Sequence, residues 1–193
     1  MADVVMKRAY AYGGQAHDKS WVISILSKCQ RVANAYLRSV RDSASLSVLK
    51  QKLVYSIADE MSECLDVTKV TESRSGVAEE LARVDNLAEL ASYDVDWFRN
   101  ITGTRYEAWC QVGRDLLVIY PSKASAGTVT VHYTKLTDPL VNNTDEFDLS
   151  DDDVDVVLDL AELVVLARDK EISAGMEKAG QLASRLGMET RDD

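Results

Sequence analysis

Residues 149–170 read "LSDDDVDVVLDLAELVVLARDK", a knot of aspartates that runs directly into one of the most apolar stretches of the chain. Asp151, Asp153, Asp155, Asp159 and Glu162 fall at positions 1, 3, 5, 9 and 12 of an EF-hand calcium loop. Position 6 of that loop needs glycine for its sharp turn, and here it is the β-branched Val156. A membrane span is excluded too, because Asp155, Asp159 and Glu162 interrupt a run that would have to be about 20 mostly uncharged residues. What remains is a helix. Ser150 is a good N-cap, and Asp151, Asp152 and Asp153 put negative charge on the first turn, where the free N–H groups and the macrodipole favour it.

On that helix Asp152, Asp155, Asp159, Glu162 and Asp169 form one narrow stripe, and the apolar residues sweep roughly 220° of arc. That is about twice what a helix resting on one core requires. Either the helix is central among others, or a neighbouring subunit covers its second side. On either reading a charge at Val164 is expected to damage folding, subunit packing or both.

Working outward, Ile172, Met176, Ala179, Leu182 and Leu186 give a second, single-faced helix ending at Gly187, followed by the charged tail "METRDD". At the other end, after a loose Gly-containing start, Asp18 or Ser20 can cap a helix reaching about Arg41. Its face is Val22, Leu26, Cys29, Ala33, Tyr36 and Val40, with Arg31 and Arg38 opposite. "DSASLS" reads as a polar turn, and "KLVYSI" and "CLDVTKVTE" as two short strands. Residues 77–92 are either a short helix or a strand before a helix capped by Asp85. From 106 the period changes to two, and "YEAWCQV", "LLVIYP" and "TVTVHYT" predict a three-strand meander. The expected fold is mainly α with a small antiparallel β element: a helical bundle body over 17–187, with a β-hairpin or meander projecting at about 106–134. A flexible segment at 1–16 and the charged tail at 188–193 flank it.

The 193 residues are 46% hydrophobic, enough for a substantial core in one domain. Cys29, Cys64 and Cys110 are odd in number and widely spaced, which favours a reducing compartment and gives no zinc spacing with His17 and His132. The net charge of −10 conceals an asymmetry: residues 1–52 hold nine Lys/Arg against three Asp/Glu, and the remainder is strongly acidic. The overall charge argues against tight general DNA binding, although the basic first helix leaves a nucleic-acid-binding alternative. No phosphate loop, dinucleotide fingerprint, nucleophile elbow or H-E-x-x-H occurs. Asp94 and Asp96 beside Trp97 are a carboxylate pair, but "SYDVDWF" fits a capped turn as well as an acid/base site. No catalytic, cofactor-binding or metal residue is assigned, and an enzyme is the less favoured alternative.

From about residue 53 to 186 the order of "LVYSIADEM", "RVDNLAELASYDVDW", "LLVIYPSKASAGTVTVHYT" and "LSDDDVDVVLDLAELVVLARDK" resembles the head-to-tail adaptor (connector) proteins of the neck of tailed bacteriophages. Relatives often carry Leu-Pro where this chain has Leu149-Ser150. The resemblance implies a non-enzymatic virion protein without a cofactor, assembled in the host cytoplasm as a homo-oligomeric ring of twelve. Such a ring binds the portal on one side and the tail or a further neck protein on the other, with DNA passing through its channel without sequence-specific binding. Candidate interface residues are Arg31, Arg38, Val157, Val164, Val165, Glu189 and Arg191.

Calorimetry with millimolar calcium is expected to show no site-specific heat from the Ser150 helix. A saturable isotherm abolished by Asp151→Ala would contradict the assignment of its aspartates to first-turn charge.

Overall fold

A computed structural model describes residues 2–11, 17–99, 105–122, 126–142 and 144–187. The elements in chain order are α1 (Ala2–Ala11), α2 (Lys19–Leu37), β1 (Arg41–Val48), β2 (Val54–Ser56), α3 (Ile57–Glu60), β3 (Cys64–Arg74), β4 (Val77–Glu80), β5 (Ala82–Arg83), α4 (Leu87–Tyr93), β6 (Ala108–Val112), β7 (Leu116–Tyr120), β8 (Gly127–Lys135), α5 (Asp151–Arg168) and α6 (Ile172–Arg185). They divide into two compact units, Met1–Val40 with Thr137–Asp193, and Arg41–Leu136. The second is thus inserted in sequence between α2 and α5.

The expectation of a helical bundle body with a small β projection is overturned. Strand accounts for 28% of the described residues against 40% helix and forms two four-stranded sheets, so the fold is mixed α+β. Much of the difference lies between 38 and 83. Asn34 stops α2 early: its carbonyl accepts the Arg38 N–H at 2.7 Å, its side chain accepts the Val40 N–H at 3.1 Å, and Arg38 turns left-handed at φ 53°. "DSASLS" then lies within the eight-residue β1, not in a turn. Ala44, Leu46 and Val48 alternate inward while the serines face out, and β8 supplies the ladder from Arg41↔Thr134 to Val48↔Gly127.

One sheet of the inserted unit has the order β1-β8-β3-β4, all antiparallel. The other has the order β2-β7-β6-β5, with β5 parallel to β6. The predicted meander is therefore split: β6 and β7 form the expected hairpin through Gly113 (φ 64°), whereas β8 leaves for the other sheet. Val67, Val70, Val129 and Val131 from one sheet meet Tyr55, Trp109, Leu117 and Ile119 from the other in one buried cluster. The strand reading of residues 77 onward holds, but Asn86, not Asp85, caps the helix. Its side chain accepts the Glu89 N–H at 3.0 Å, and Glu89 returns a bond to the Asp85 N–H at 3.0 Å. Helix α4 contributes Leu90 to a second cluster with Val84, Ala108, Cys110 and Val118.

In the helical unit Ser150 caps α5 as expected, its Oγ accepting the Asp153 N–H at 3.4 Å. The loose start expected at 1–16 instead contains α1, whose Ala2 and Val5 are buried in the same cluster as Val157, Ala161 and Val165. Across that cluster α2 brings Val22, Leu26, Cys29 and Ala33. The connection into α5 is tied down as well: Ser27 Oγ accepts the Leu140 N–H and Gln30 donates to the Asp138 carbonyl, each at 3.0 Å.

Val164 is 37% exposed, so the chain's own core does not bury it as it buries Val157 and Val165. Val165→Asp is expected to prevent folding of the helical unit, because an unpaired charge would enter a closed core. Val164→Asp is expected to leave the melting temperature within a few degrees of wild type. Trp109→Ala, in the inserted unit, should cost about 3–5 kcal/mol in denaturant unfolding.

Candidate functional site

The acidic stripe of α5 is not a solvated edge. Asp159 and Glu162 are buried, and the cations of two other helices converge on them. Lys178 Nζ of α6 lies 2.8 Å from Asp159 Oδ1 and 3.0 Å from Glu162 Oε2, and Arg185 reaches Asp159 Oδ2 at 2.8 Å. From α1, Arg8 lies 3.4 Å from Asp159 and 3.5 Å from the more exposed Asp155. Glu162 is only 1% exposed, and the ammonium of Lys178, 3.0 Å from its Oε2, compensates its charge. Burial alone would pull the Lys178 pKa down. The carboxylates of Asp159 and Glu162 outweigh that and hold it above the ordinary lysine value. The stability it contributes is therefore present at neutral pH and lost only as pH climbs through that raised value in the alkaline range.

This charge pairing sets how α6 lies on α5. Gly175 and Leu182 are buried on α6 and Lys178 lies on the same side, whereas Ile172, Met176 and Ala179, which share the predicted stripe with Leu182, are exposed. Part of the apolar stripe is consequently uncovered, and Ile172 and Met176 are each 72% exposed. Beside it Val32 and Tyr36 of α2, Leu160 and Leu163 of α5, and Ala183 and Leu186 of α6 line an open apolar groove of about 270 Å³. Helix α2 itself contains Lys19, Lys28 and Arg31 but no Asp or Glu.

Among the residues predicted to make contacts, Arg31 is half-buried, Arg38 is the exposed left-handed C-cap of α2, and Val164 is partly exposed. Val157 and Val165 have no exposed surface and belong to the chain's own core. Glu189 and Arg191 lie outside the described residues. The groove residues Val32 and Tyr36 were not singled out from the sequence. The periodicity places Tyr36 on the core face of α2, but Tyr36 and Val32, one turn apart, are both exposed.

Several other chemistry-bearing residues have structural partners. Asp94 accepts the Tyr120 hydroxyl at 2.9 Å and the Asp96 N–H at 3.0 Å, the capped-turn arrangement. Burial pushes the Cys29 thiol up to about 11, and burial with the nearby Asp66 does the same for Cys64, so neither is an activated nucleophile. His17 pairs with Asp169 at 2.8 Å, and the Trp21 ring contacts both the His17 ring and the Arg168 guanidinium. Among the described residues no three His, Cys, Asp or Glu side chains are grouped to hold a metal ion. No helix is long and apolar enough to cross a membrane, again among the described residues.

No protein-family model matches the chain, and no curated protein is significantly similar to it.

Lys178→Met should destabilise the protein by about 3–5 kcal/mol, because it strands Glu162 as an uncompensated buried charge. Adding Glu162→Gln should recover most of that loss. Urea unfolding of the two single variants and the double variant, analysed as a cycle, checks the coupling.

Proposed function

We propose that the protein is a structural component of a bacteriophage neck: a head-to-tail adaptor whose copies form a ring, twelve in number, between the portal and the tail or a further neck protein. Its work is to bind and to be bound, with no reaction catalysed. It would be made in the host cytoplasm and carried in the virion. The observation that carries this reading is the ordered run of four sequence segments between about 53 and 186 that resemble such adaptors.

In this fold those segments fall on β2 and α3, on β5 with α4 and the following turn, on β7 and β8, and on α5. The reading is supported by surface chemistry suited to macromolecular contact. An open apolar groove sits beside a helix that carries basic residues and no acidic ones. Apolar contact supplies most of the affinity in such an interface, since exposed ion pairs add only about 0–1 kcal/mol each. The charge asymmetry of the chain steers encounter and makes assembly sensitive to salt.

The basic helix also favours a second reading, nucleic-acid binding. The groove beside it tells against that, because a phosphate backbone rewards concentrated positive charge and not an apolar trough.

Purified protein mixed with portal rings should decorate them with a closed ring, visible by electron microscopy and by mass as twelve added copies. Arg31→Glu with Arg38→Glu should leave the fold intact and weaken decoration most at low salt. Undecorated portals, together with salt-dependent binding of duplex DNA, would favour the second reading.

A further inference from the structure

We propose that copies of this chain join head to tail, the turn at residues 94–98 of one copy seating in the groove between α2, α5 and α6 of the next. The biological setting rests on the ring reading above, but the contact is defined by the chain's own two surfaces.

The groove is the receiving half. It is open because α6 is rotated by its ion pairs, and it has apolar and aromatic walls. At about 270 Å³ it falls below the roughly 300–1,000 Å³ of typical small-molecule sites, a size that suits one or two bulky side chains of a protein partner.

The turn is the inserting half. Val95 is 81% exposed and Phe98 54% exposed, an unusual display for two large apolar residues one helical turn apart. The turn is also held in shape. Asp94 is bonded to the Tyr120 hydroxyl and to the Asp96 N–H, the Trp97 N–H donates to the Asp94 carbonyl at 3.0 Å, and the half-buried Trp97 packs with Leu90 and Val118. A preorganised protrusion loses little conformational freedom on docking. Phe98 meets Trp97 edge-on with ring centroids 6.0 Å apart and carries the Arg99 guanidinium 5.1 Å from its ring centroid, and much of its surface still faces outward.

Charge points to the same pairing. Residues 19–38, which carry the α2 wall, contain four Lys/Arg and no Asp/Glu, whereas residues 85–96, leading into the turn, contain four Asp/Glu and no Lys/Arg. An apolar hollow with one wall on the basic α2 fits an apolar tip on an acidic stem, and two α2 walls or two stems facing each other would bring like charges together. Because groove and turn are different surfaces, the contact is heterologous. Repetition closes into a ring when the rotation closes, and otherwise continues as a filament.

The test uses two variants of the full chain: Val32→Glu with Tyr36→Glu, which blocks the groove, and Val95→Glu with Phe98→Glu, which blocks the turn. All four positions are exposed, so each variant should melt like wild type; Val32→Ser and Val95→Ser serve if a glutamate pair perturbs the fold. Sedimentation velocity across the micromolar range should show association of the wild type, weakened by salt, and monomers for each variant alone. An equimolar mixture should form one-to-one dimers and nothing larger, since only one intact groove and one intact turn remain per pair. A monomeric mixture overturns the proposal, as does a wild type that never associates. A turn-blocked variant that still self-associates overturns it in favour of groove-to-groove packing. Portal decoration by a protein that fails these tests would retain the neck reading and reject this contact. Dimers in the mixture from a protein that never decorates portals would do the reverse.

Discussion

The pairing of Asp159 and Glu162 with Lys178, Arg185 and Arg8 is the constraint from which the outer surface of the helical unit follows. A helix as apolar as α5 would ordinarily be wrapped by the apolar faces of its neighbours. Here two carboxylates interrupt that arc at buried positions, and removing them from water is costly unless cations accompany them. Both α1 and α6 supply those cations. Helix α6 therefore turns Lys178 and Arg185 toward α5 and seats only Leu182 and Gly175 deeply, so its apolar stripe points partly away from the core. Buried ion pairs of this kind are weak sources of net stability compared with apolar packing, and their best-attested role is to fix register. In this protein the fixed register is what keeps the groove open.

The inserted unit obeys a different rule. Few of its strands are strongly apolar along their whole length, and the two sheets bury their inward positions against each other. The chain passes between sheets repeatedly. Leu81 marks one passage: its N–H donates to the Val70 carbonyl at 2.9 Å, and the next residue's N–H donates to the Glu107 carbonyl at 2.9 Å, so the backbone leaves one ladder and joins the next within a single step. The outer face of the second sheet is covered by α4 and Trp97, which also braces the turn carrying Val95 and Phe98. Packing of the β core and presentation of an exposed apolar tip are thus linked through one aromatic side chain.

Elements whose signals are local were legible in the sequence. The Ser150 cap, the course of α5 and α6, the β6–β7 hairpin and the capped turn at Asp94 all follow from capping chemistry or periodicity within a few residues. The inserted unit was underestimated because serine and aspartate were weighed as turn formers. In β1 the alternation of Ala44, Leu46 and Val48 was present, but its outward positions are Ser, and the register that stabilises it comes from β8, more than eighty residues away. The polar stripe on α5 was seen correctly and its environment was not. A wheel shows that Asp159 and Glu162 share a face with Asp155, but burial depends on whether Lys178 and Arg185 arrive there, which no periodicity reports. The groove escaped for the same reason, since an apolar stripe on α6 predicts a covered face, and only the rotation imposed by the ion pairs uncovers it.

That rotation also bears on which kind of partner the surface can distinguish. A purely apolar trough would accept many hydrophobic segments and would be an aggregation liability, whereas a purely basic helix would collect nucleic acid and acidic proteins without discrimination. Setting the two side by side imposes a joint condition. An occupant must bring bulky apolar groups on a scaffold of negative charge, with the spacing fixed by α2 against α6. Apolar insertion then governs how long a complex lasts, and the rim charges govern how often correct encounters occur and which wrong partners are repelled. In a chain whose remainder is acidic, the basic α2 is the exception. An acidic protein with one basic, apolar-lined trough is physically disposed to receive another acidic surface, including its own.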